Sequence, residues 1–245
     1  MKTARADMSH LYAVILAGGR GTRFWPRSRR LCPKQLMSFG DGPTLLQQTV
    51  ARLRPLIPAS NVWVFTNRQL AAAVKRQLPD VPSAQIVAEP LQRNTAPCAG
   101  LAAELILAQD PEAILGVFPS DHAILKPAAF RRIVRLAADN AQQGKIVVLG
   151  IQPRWPETGY GYMEFSQAPA INPPRALPVK RFREKPTLPV AQRYLRAKRF
   201  YWNSGMFFWK ASVIRDALRT FLPKTADVLA AIRSEERRVG KECRL

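Results

Sequence analysis

Tyr12-Ala13-Val14-Ile15-Leu16 runs straight into Ala17-Gly18-Gly19-Arg20-Gly21-Thr22-Arg23-Phe24-Trp25-Pro26-Arg27-Ser28-Arg29, and Pro33-Lys34 follows close behind. An apolar run that breaks into glycines reads as a buried strand ending in a turn. Gly18, Gly19 and Gly21 lack a Cβ, so main-chain N–H groups can approach and surround an anion there. Thr22, Arg23 and Lys34 add a hydroxyl and two cations, and the stretch reads as a polyphosphate cradle. It is neither of the two commonest kinds. A Walker loop needs Gly-x-x-x-x-Gly-Lys-Ser/Thr, and the dinucleotide fingerprint needs a glycine where Phe24 stands.

Outward from this loop, apolar segments alternate with helical patterns. Asp41-Gly42-Pro43 is a turn, and Thr44-Leu45-Leu46-Gln47 fits a capping box that opens a helix with Leu46, Thr49, Val50 and Leu53 on one face. Val62 to Phe65 reads as a second strand, Gln69 to Gln77 as a helix and Gln85 to Val87 as a third strand. Ala113 to Phe118 reads as a central strand, and Ile146 to Leu149 as another. This order predicts an α/β fold: a Rossmann-like mixed, mainly parallel sheet with helices on both faces.

The 245 residues can bury one sizeable core, and 47% hydrophobic content fits a soluble globular protein. No apolar run is long enough to span a bilayer, and the N-terminus has no signal-peptide core. The cytoplasm is therefore expected, and a membrane partner is not. Cys32, Cys98 and Cys243 are odd in number and far apart, which suggests neither a disulfide framework nor a zinc site. The formal charge of +21 is in the range of nucleic-acid binders. Its basic residues are nevertheless spread over many segments with no nucleic-acid-binding signature, so nucleic acid is not an expected partner.

Three further stretches invite a functional reading beside a plain one. Asp121 follows the central strand at Pro119-Ser120-Asp121-His122. A carboxylate there faces the same rim as the glycine loop and could hold Mg²⁺ against nucleotide phosphates, or it could cap the next helix. Glu89-Pro90-Leu91-Gln92-Arg93-Asn94-Thr95-Ala96 is either a helix start capped by Asn94 or Thr95, or a base-recognition loop beyond a strand's carboxyl end. Gly159-Tyr160-Gly161-Tyr162 suits close approach of a sugar ring, or a tight turn between core tyrosines.

Leu-Ala-Gly-Gly-x-Gly-Thr-Arg with a following Pro-Lys resembles the signature of the sugar-1-phosphate nucleotidylyltransferases. The wording Phe24-Trp25-Pro26-Arg27-Ser28-Arg29 and Pro33-Lys34-Gln35 is similar to the mannose-1-phosphate guanylyltransferase branch. Further matches are Gly159 to Tyr162, Phe182-Arg183-Glu184-Lys185-Pro186 and Trp202-Asn203-Ser204-Gly205-Met206, where an edge strand with a glycine bulge is the plain alternative. The resemblance implies a fold of the nucleotide-diphospho-sugar transferase type, with GTP and mannose 1-phosphate as partners and Mg²⁺ as cofactor. It implies nucleotide contacts at Leu16, Ala17, Gly18, Gly19, Gly21, Thr22, Glu89, Asn94, Thr95 and Ala96. The catalytic set would be Arg23, Lys34, Asp121 and Lys185, with Asp121 on the metal. Gly161, Tyr162, Glu184, Lys185 and Asn203 would hold the sugar phosphate.

The same residues leave room for a glucose-1-phosphate enzyme using UTP, dTTP or ATP, and for a catalytically silent sugar-nucleotide-binding subunit. A homodimer is left open. Residues 11–232 read as the nucleotidylyltransferase domain. The run 233–245 has no apolar periodicity, resembles the in-frame translation of a sequencing adapter, and is set apart as non-native. On that reading the family's C-terminal part, expected to carry a second aspartate for Mg²⁺, is missing.

Overall fold

A computed structural model describes residues 5–19, 24–89, 91, 94–169 and 174–242, the last ten of them as main chain alone. Gly21, Thr22 and Arg23 of the glycine loop lie outside the described residues, as do Pro90, Gln92, Arg93 and Cys243.

The elements follow in the order β1 (Leu11–Leu16), α1 (Leu45–Leu53), β2 (Val62–Asn67), α2 (Ala71–Gln77), β3 (Ile86–Glu89), α3 (Thr95–Leu107), β4 (Ile114–Pro119) and α4 (Pro127–Gln142). They continue with β5 (Val147–Ile151), β6 (Tyr162–Glu164), β7 (Arg181–Arg183), α5 (Leu188–Ala197), β8 (Phe200–Lys210), α6 (Ala211–Phe221) and α7 (Pro223–Glu242). One mixed sheet contains all of the strands in the order β3-β2-β1-β4-β8-β6-β7, with β5 also on β8. The strands β3, β2, β1 and β4 pair in parallel, while β8 runs antiparallel to β4, β5 and β6. The expected Rossmann-like sheet with a parallel centre is therefore present.

Alternation along β1 sends residues to opposite faces. Ala13 and Ile15 join Leu46, Val50 and Leu53 of α1 and Val134, Ala137 and Ala141 of α4, while Tyr12 and Val14 join Ala99, Ala102 and Ile106 of α3. Such a central strand reads as an unbroken apolar run because neither face meets water. The capping box forms as expected: Thr44 accepts from the Gln47 amide, and the Gln47 side chain accepts from the Thr44 amide.

One expectation is corrected here. β8 is not an edge strand, since it is paired on both sides, with β4 and β6 along one and β5 along the other. β7 covers only Arg181–Arg183, and Lys185 beyond it turns to a φ of 35°. The main chain stays helical through Glu242, so the run after 232 continues α7. The outer edge of β5 pairs with no strand among the described residues. A groove of about 660 Å³ lies between that edge, α4 and residues 174–179, and none of its lining residues belongs to the expected site. No helix among the described residues is long and apolar enough to cross a membrane.

At the N-terminal end of the sheet, Nδ1 of His10 lies 2.8 Å from Oδ2 of Asp110. The Asp110 hydrogen bond raises the His10 pKa above its ordinary value, outweighing partial burial. A raised folded-state pKa contributes stability that is complete below the unfolded value, about 6.5, and is lost as pH rises through the folded value. Thermal midpoints of the unaltered chain and His10→Gln should therefore differ most at acidic pH, and the gap should close in the alkaline range. A gap that is constant or grows with pH would remove the pair as the cause.

Candidate active site

The end of β1 is where the site begins. Leu16 lies opposite Phe65 and Pro119, so β1 and β4 reach their carboxyl ends together, and β2 continues two residues beyond them to Asn67. Ala17 then donates its amide to the Phe65 carbonyl at 2.7 Å. Its own buried carbonyl accepts from Nε2 of Gln35 at 2.9 Å and from the Thr66 hydroxyl at 3.2 Å. Gln35 is 3% exposed, and its Nε2 also donates to the Gly19 carbonyl at 2.8 Å. One buried amide thus clamps both ends of the Ala17-Gly18-Gly19 turn. A Cβ on Gly19 would meet nothing within 4 Å, so this part of the loop opens to solvent.

β4 delivers the carboxylate. The Ser120 amide and hydroxyl both donate to the Leu16 carbonyl, at 3.3 and 2.7 Å, and tie the end of β4 to the end of β1. Asp121 comes next, and its Oδ2 accepts from Nζ of Lys34 at 3.2 Å. Lys34 also lies over the Phe24 ring, 4.8 Å from its centroid. Side-chain exposures of 24% for Lys34 and 41% for Asp121 leave both groups within reach of a ligand. Asp121 does not cap a helix, because α4 starts at Pro127 with Lys126 in the cap position. Nε2 of His122 is 3.9 Å from Asp121. Burial, with Lys34 and Arg52 nearby, holds the His122 pKa below its ordinary value against the pull of Asp121.

The stretch expected to meet the base lies beyond β3. Glu89 ends that strand opposite Asn67, and burial raises its carboxyl pKa, partly offset by a hydrogen bond with Cys98. Burial likewise pushes the Cys98 thiol up. Asn94 occupies the cap position of α3 with φ 49° and ψ −179°, a sparsely populated backbone conformation for a residue other than glycine. Its side chain makes no capping hydrogen bond, and Thr95 and Ala96 open the helix.

A second group assembles where β6, β7 and β8 meet. The Asn203 amide donates to the Gly161 carbonyl at 2.8 Å, and a Cβ on Gly161 would stand 2.9 Å from Oε2 of Glu184 and 2.7 Å from the Phe182 ring. Nζ of Lys185 is 3.4 Å from Oε1 of Glu184, and both side chains are more than half exposed. Oδ1 of Asn203 accepts from the Gly205 amide at 2.9 Å. Gly205 has φ 71°, and its Cβ would stand 3.4 Å from Pro119, so β8 links this group to the end of β4. Tyr162 requires a correction: its side chain is fully buried against Tyr194, Ala191 and Phe200, and its hydroxyl donates to the Glu157 carbonyl at 2.7 Å. Only its main chain could meet a ligand, and Tyr160, 41% exposed and packed on Trp202, is the accessible ring of the motif.

The structure thus brings together Leu16, Ala17, Gly18, Gly19, Lys34 and Asp121 on one rim, and Gly161, Glu184, Lys185 and Asn203 in a neighbouring group. Sequence reasoning missed Gln35, Thr66 and Ser120, which shape that rim. Gln35 stands in the quoted Pro33-Lys34-Gln35, but an amide side chain gives no sign in sequence that it will be buried.

The family model described as "Nucleotidyl transferase" matches residues 12–241. The xanthan biosynthesis protein XanB of Xanthomonas campestris pv. campestris strain B100 is 43% identical over 222 residues, which cover 90% of this chain and 46% of that protein. A mannose-1-phosphate guanylyltransferase of Escherichia coli K12 is 40% identical over 224 residues, covering 89% of this chain and 47% of its own length. This chain spans about half the length of the curated relatives it matches. A crystal structure described as a mannose-1-phosphate geranyltransferase from Thermus thermophilus superposes with a TM-score of 0.80 at 33% identity, covering 92% of this chain and 64% of that one. The chain belongs to the nucleotidyl transferase family.

Proposed function

We propose that this chain is the nucleotidyl-transfer part of a cytoplasmic enzyme that converts GTP and mannose 1-phosphate to GDP-mannose and pyrophosphate. The observation that carries the reading is the Lys34 and Asp121 pair beside the Gln35-clamped turn, at the shared carboxyl ends of β1 and β4. Ligands of open α/β sheets bind at such a rim. The substrates are drawn from relatives named mannose-1-phosphate guanylyltransferase.

In this reaction an oxygen of the sugar phosphate attacks the α-phosphorus of GTP. A P–O bond forms in line with the bond that breaks, and pyrophosphate leaves with the electron pair. Little covalent help is needed, so positioning and charge neutralisation carry the catalysis. Main-chain amides of Gly18, Gly19 and Gly21, with the Thr22 hydroxyl, would hold the nucleotide phosphates, and Arg23 and Lys34 would neutralise their charge. Glu89, Asn94, Thr95 and Ala96 would meet the base. Lys185 would orient the attacking phosphate, while Gly161, the Tyr162 main chain, Glu184 and Asn203 would bind the hexose.

The donor set at Asp121 suits Mg²⁺, which takes one or two carboxylates together with substrate phosphates. Asp121 offers one partly exposed carboxylate, and no group of three or more His, Cys, Asp or Glu suited to a metal occurs among the described residues. When bound, the ion would supply neutralisation of phosphate charge.

Pyrophosphate release from GTP and mannose 1-phosphate in the presence of Mg²⁺ tests the reading. Faster release with glucose 1-phosphate and UTP, dTTP or ATP would move the chain to that neighbouring activity. Binding of GDP-mannose without any turnover would make it a silent subunit. Lys34→Ala should lower kcat by about 10²-fold to 10³-fold while the thermal midpoint barely moves. Lys185→Ala should raise KM for mannose 1-phosphate about tenfold and leave GTP binding unchanged; an equal loss of GTP affinity would refute its placement on the sugar phosphate. Gln35→Ala removes the donor to two carbonyls and should cost about 1–3 kcal/mol in urea unfolding together with weaker GTP binding.

A further inference from the structure

Arg52 lies on α1 and is 7% exposed. Its guanidinium spreads its donors over three acceptors: Nε to the Gln48 carbonyl at 2.9 Å, Nη2 to the Thr49 hydroxyl at 3.2 Å, and Nη2 to the His122 carbonyl at 2.8 Å. Nη1 of Arg131, on α4, donates in turn to the Arg52 carbonyl at 3.2 Å. None of the ion pairs among the described residues includes Arg52. Burial accordingly holds its pKa below the usual range, with no carboxylate to offset the effect.

A buried cation without a counter-ion is a costly choice of residue, and an apolar side chain of similar volume would commonly be at least as stable. Leu46, Val50 and Leu53 show that α1 otherwise fills the core with such side chains. Two of the three Arg52 acceptors belong to its own helix, so they give no reason for a long cation. The third does. The His122 carbonyl belongs to the turn after β4, next to Asp121, and reaching it from α1 takes a long side chain with a forked donor. Ser120 ties the near side of that turn to β1, and Arg52 ties the far side to α1. The residue between the two anchors is Asp121.

We propose that Arg52 is a positioning residue of the candidate site: through the His122 carbonyl it holds the turn in the one orientation that presents the Asp121 carboxylate to the phosphate rim. The inference rests on the reading of Asp121 as the residue that takes Mg²⁺ with nucleotide phosphates. Arg52 touches no substrate, and its effect passes entirely through the main chain of the turn. Removing its donor leaves a half-buried carbonyl without its partner and lets the turn drift, and a small misplacement at a reacting centre is enough to impair it.

The test is calorimetric titration of GTP, with and without Mg²⁺, into the unaltered chain, Arg52→Met, Arg52→Lys and Leu53→Ala. Leu53 is the next residue of α1, fully buried and remote from the rim's hydrogen bonds, so its truncation loosens the same helix without touching the turn. Both Arg52 variants should lose about tenfold or more of the affinity that Mg²⁺ adds, and Arg52→Lys, which keeps the charge but not the fork, should lose less than Arg52→Met. Their affinity for GTP without Mg²⁺ should stay near that of the unaltered chain. Leu53→Ala should keep the full Mg²⁺ gain despite a lower thermal midpoint. If Arg52→Met does not fold, Arg52→Lys carries the comparison. An undiminished Mg²⁺ gain in the Arg52 variants, or an equal loss in Leu53→Ala, would overturn the inference and leave the proposed function standing. Absence of Mg²⁺-dependent GTP binding in the unaltered chain would instead overturn the proposed function, and this inference with it.

Discussion

The constraint on which the structure depends is the placement of β1 between β2 and β4, parallel to both and covered on both faces. Leu16 is level with Phe65 and with Pro119, so β1 and β4 give out at one height while β2 runs two residues further beside them. The carbonyls at this height belong to buried or half-buried residues, and a buried one left unpaired would cost about 1–3 kcal/mol. The chain therefore satisfies them locally: the Phe65 carbonyl by the Ala17 amide, the Leu16 carbonyl by Ser120, the Ala17 carbonyl by Gln35 and Thr66. Those same bonds draw the glycine turn, Lys34 and Asp121 to one edge. The geometry of the site is thus a by-product of closing the sheet's hydrogen-bond ladder.

β8 extends this logic to the second group. Its lower part pairs with β4 and its upper part with β6, and the change of partner falls at Gly205. The positive φ there would strain any other residue, and the Asn203 side chain takes the Gly205 amide that regular pairing would have used. The bend allows one continuous strand to touch both the end of β4 and the carbonyl of Gly161. Two clusters far apart in sequence consequently share a single backbone support.

The parallel centre of the fold was legible because its strands are apolar throughout and its helices carry periodic stripes. Val14 and Ile15 face opposite cores, and a run apolar at every position is the sign of that arrangement. The glycine turn and Asp121 were legible from their places at strand ends. What escaped notice was set by tertiary partners. Gln35 and Arg52 look like ordinary solvated side chains, and only the approach of Ala17, Gly19 and His122 makes them interior. Tyr162 looks like a ligand contact after a glycine, but it opens β6 with its side chain in the core, whereas Tyr160 lies in the bend before that strand and stays exposed. β8 read as an edge because a glycine commonly marks one, and its two-sided pairing depends on strands that come earlier in the chain.

The site combines two kinds of electrostatic contact that differ in what they can do. Arg52 is buried and donates to three neutral acceptors, so its position is set by several bonds at once. Lys34 and Asp121 are partly exposed and paired at 3.2 Å, and an exposed ion pair is worth about 0–1 kcal/mol. Exchanging such a pair for bonds to another charged group costs little, whereas shifting the turn beneath it breaks buried bonds. The braced layer under the rim therefore fixes where the carboxylate stands, and the weak pair at its surface leaves the ammonium and the carboxylate free to take new partners. A charged substrate arriving at this edge would have to compete only with the weaker of the two layers.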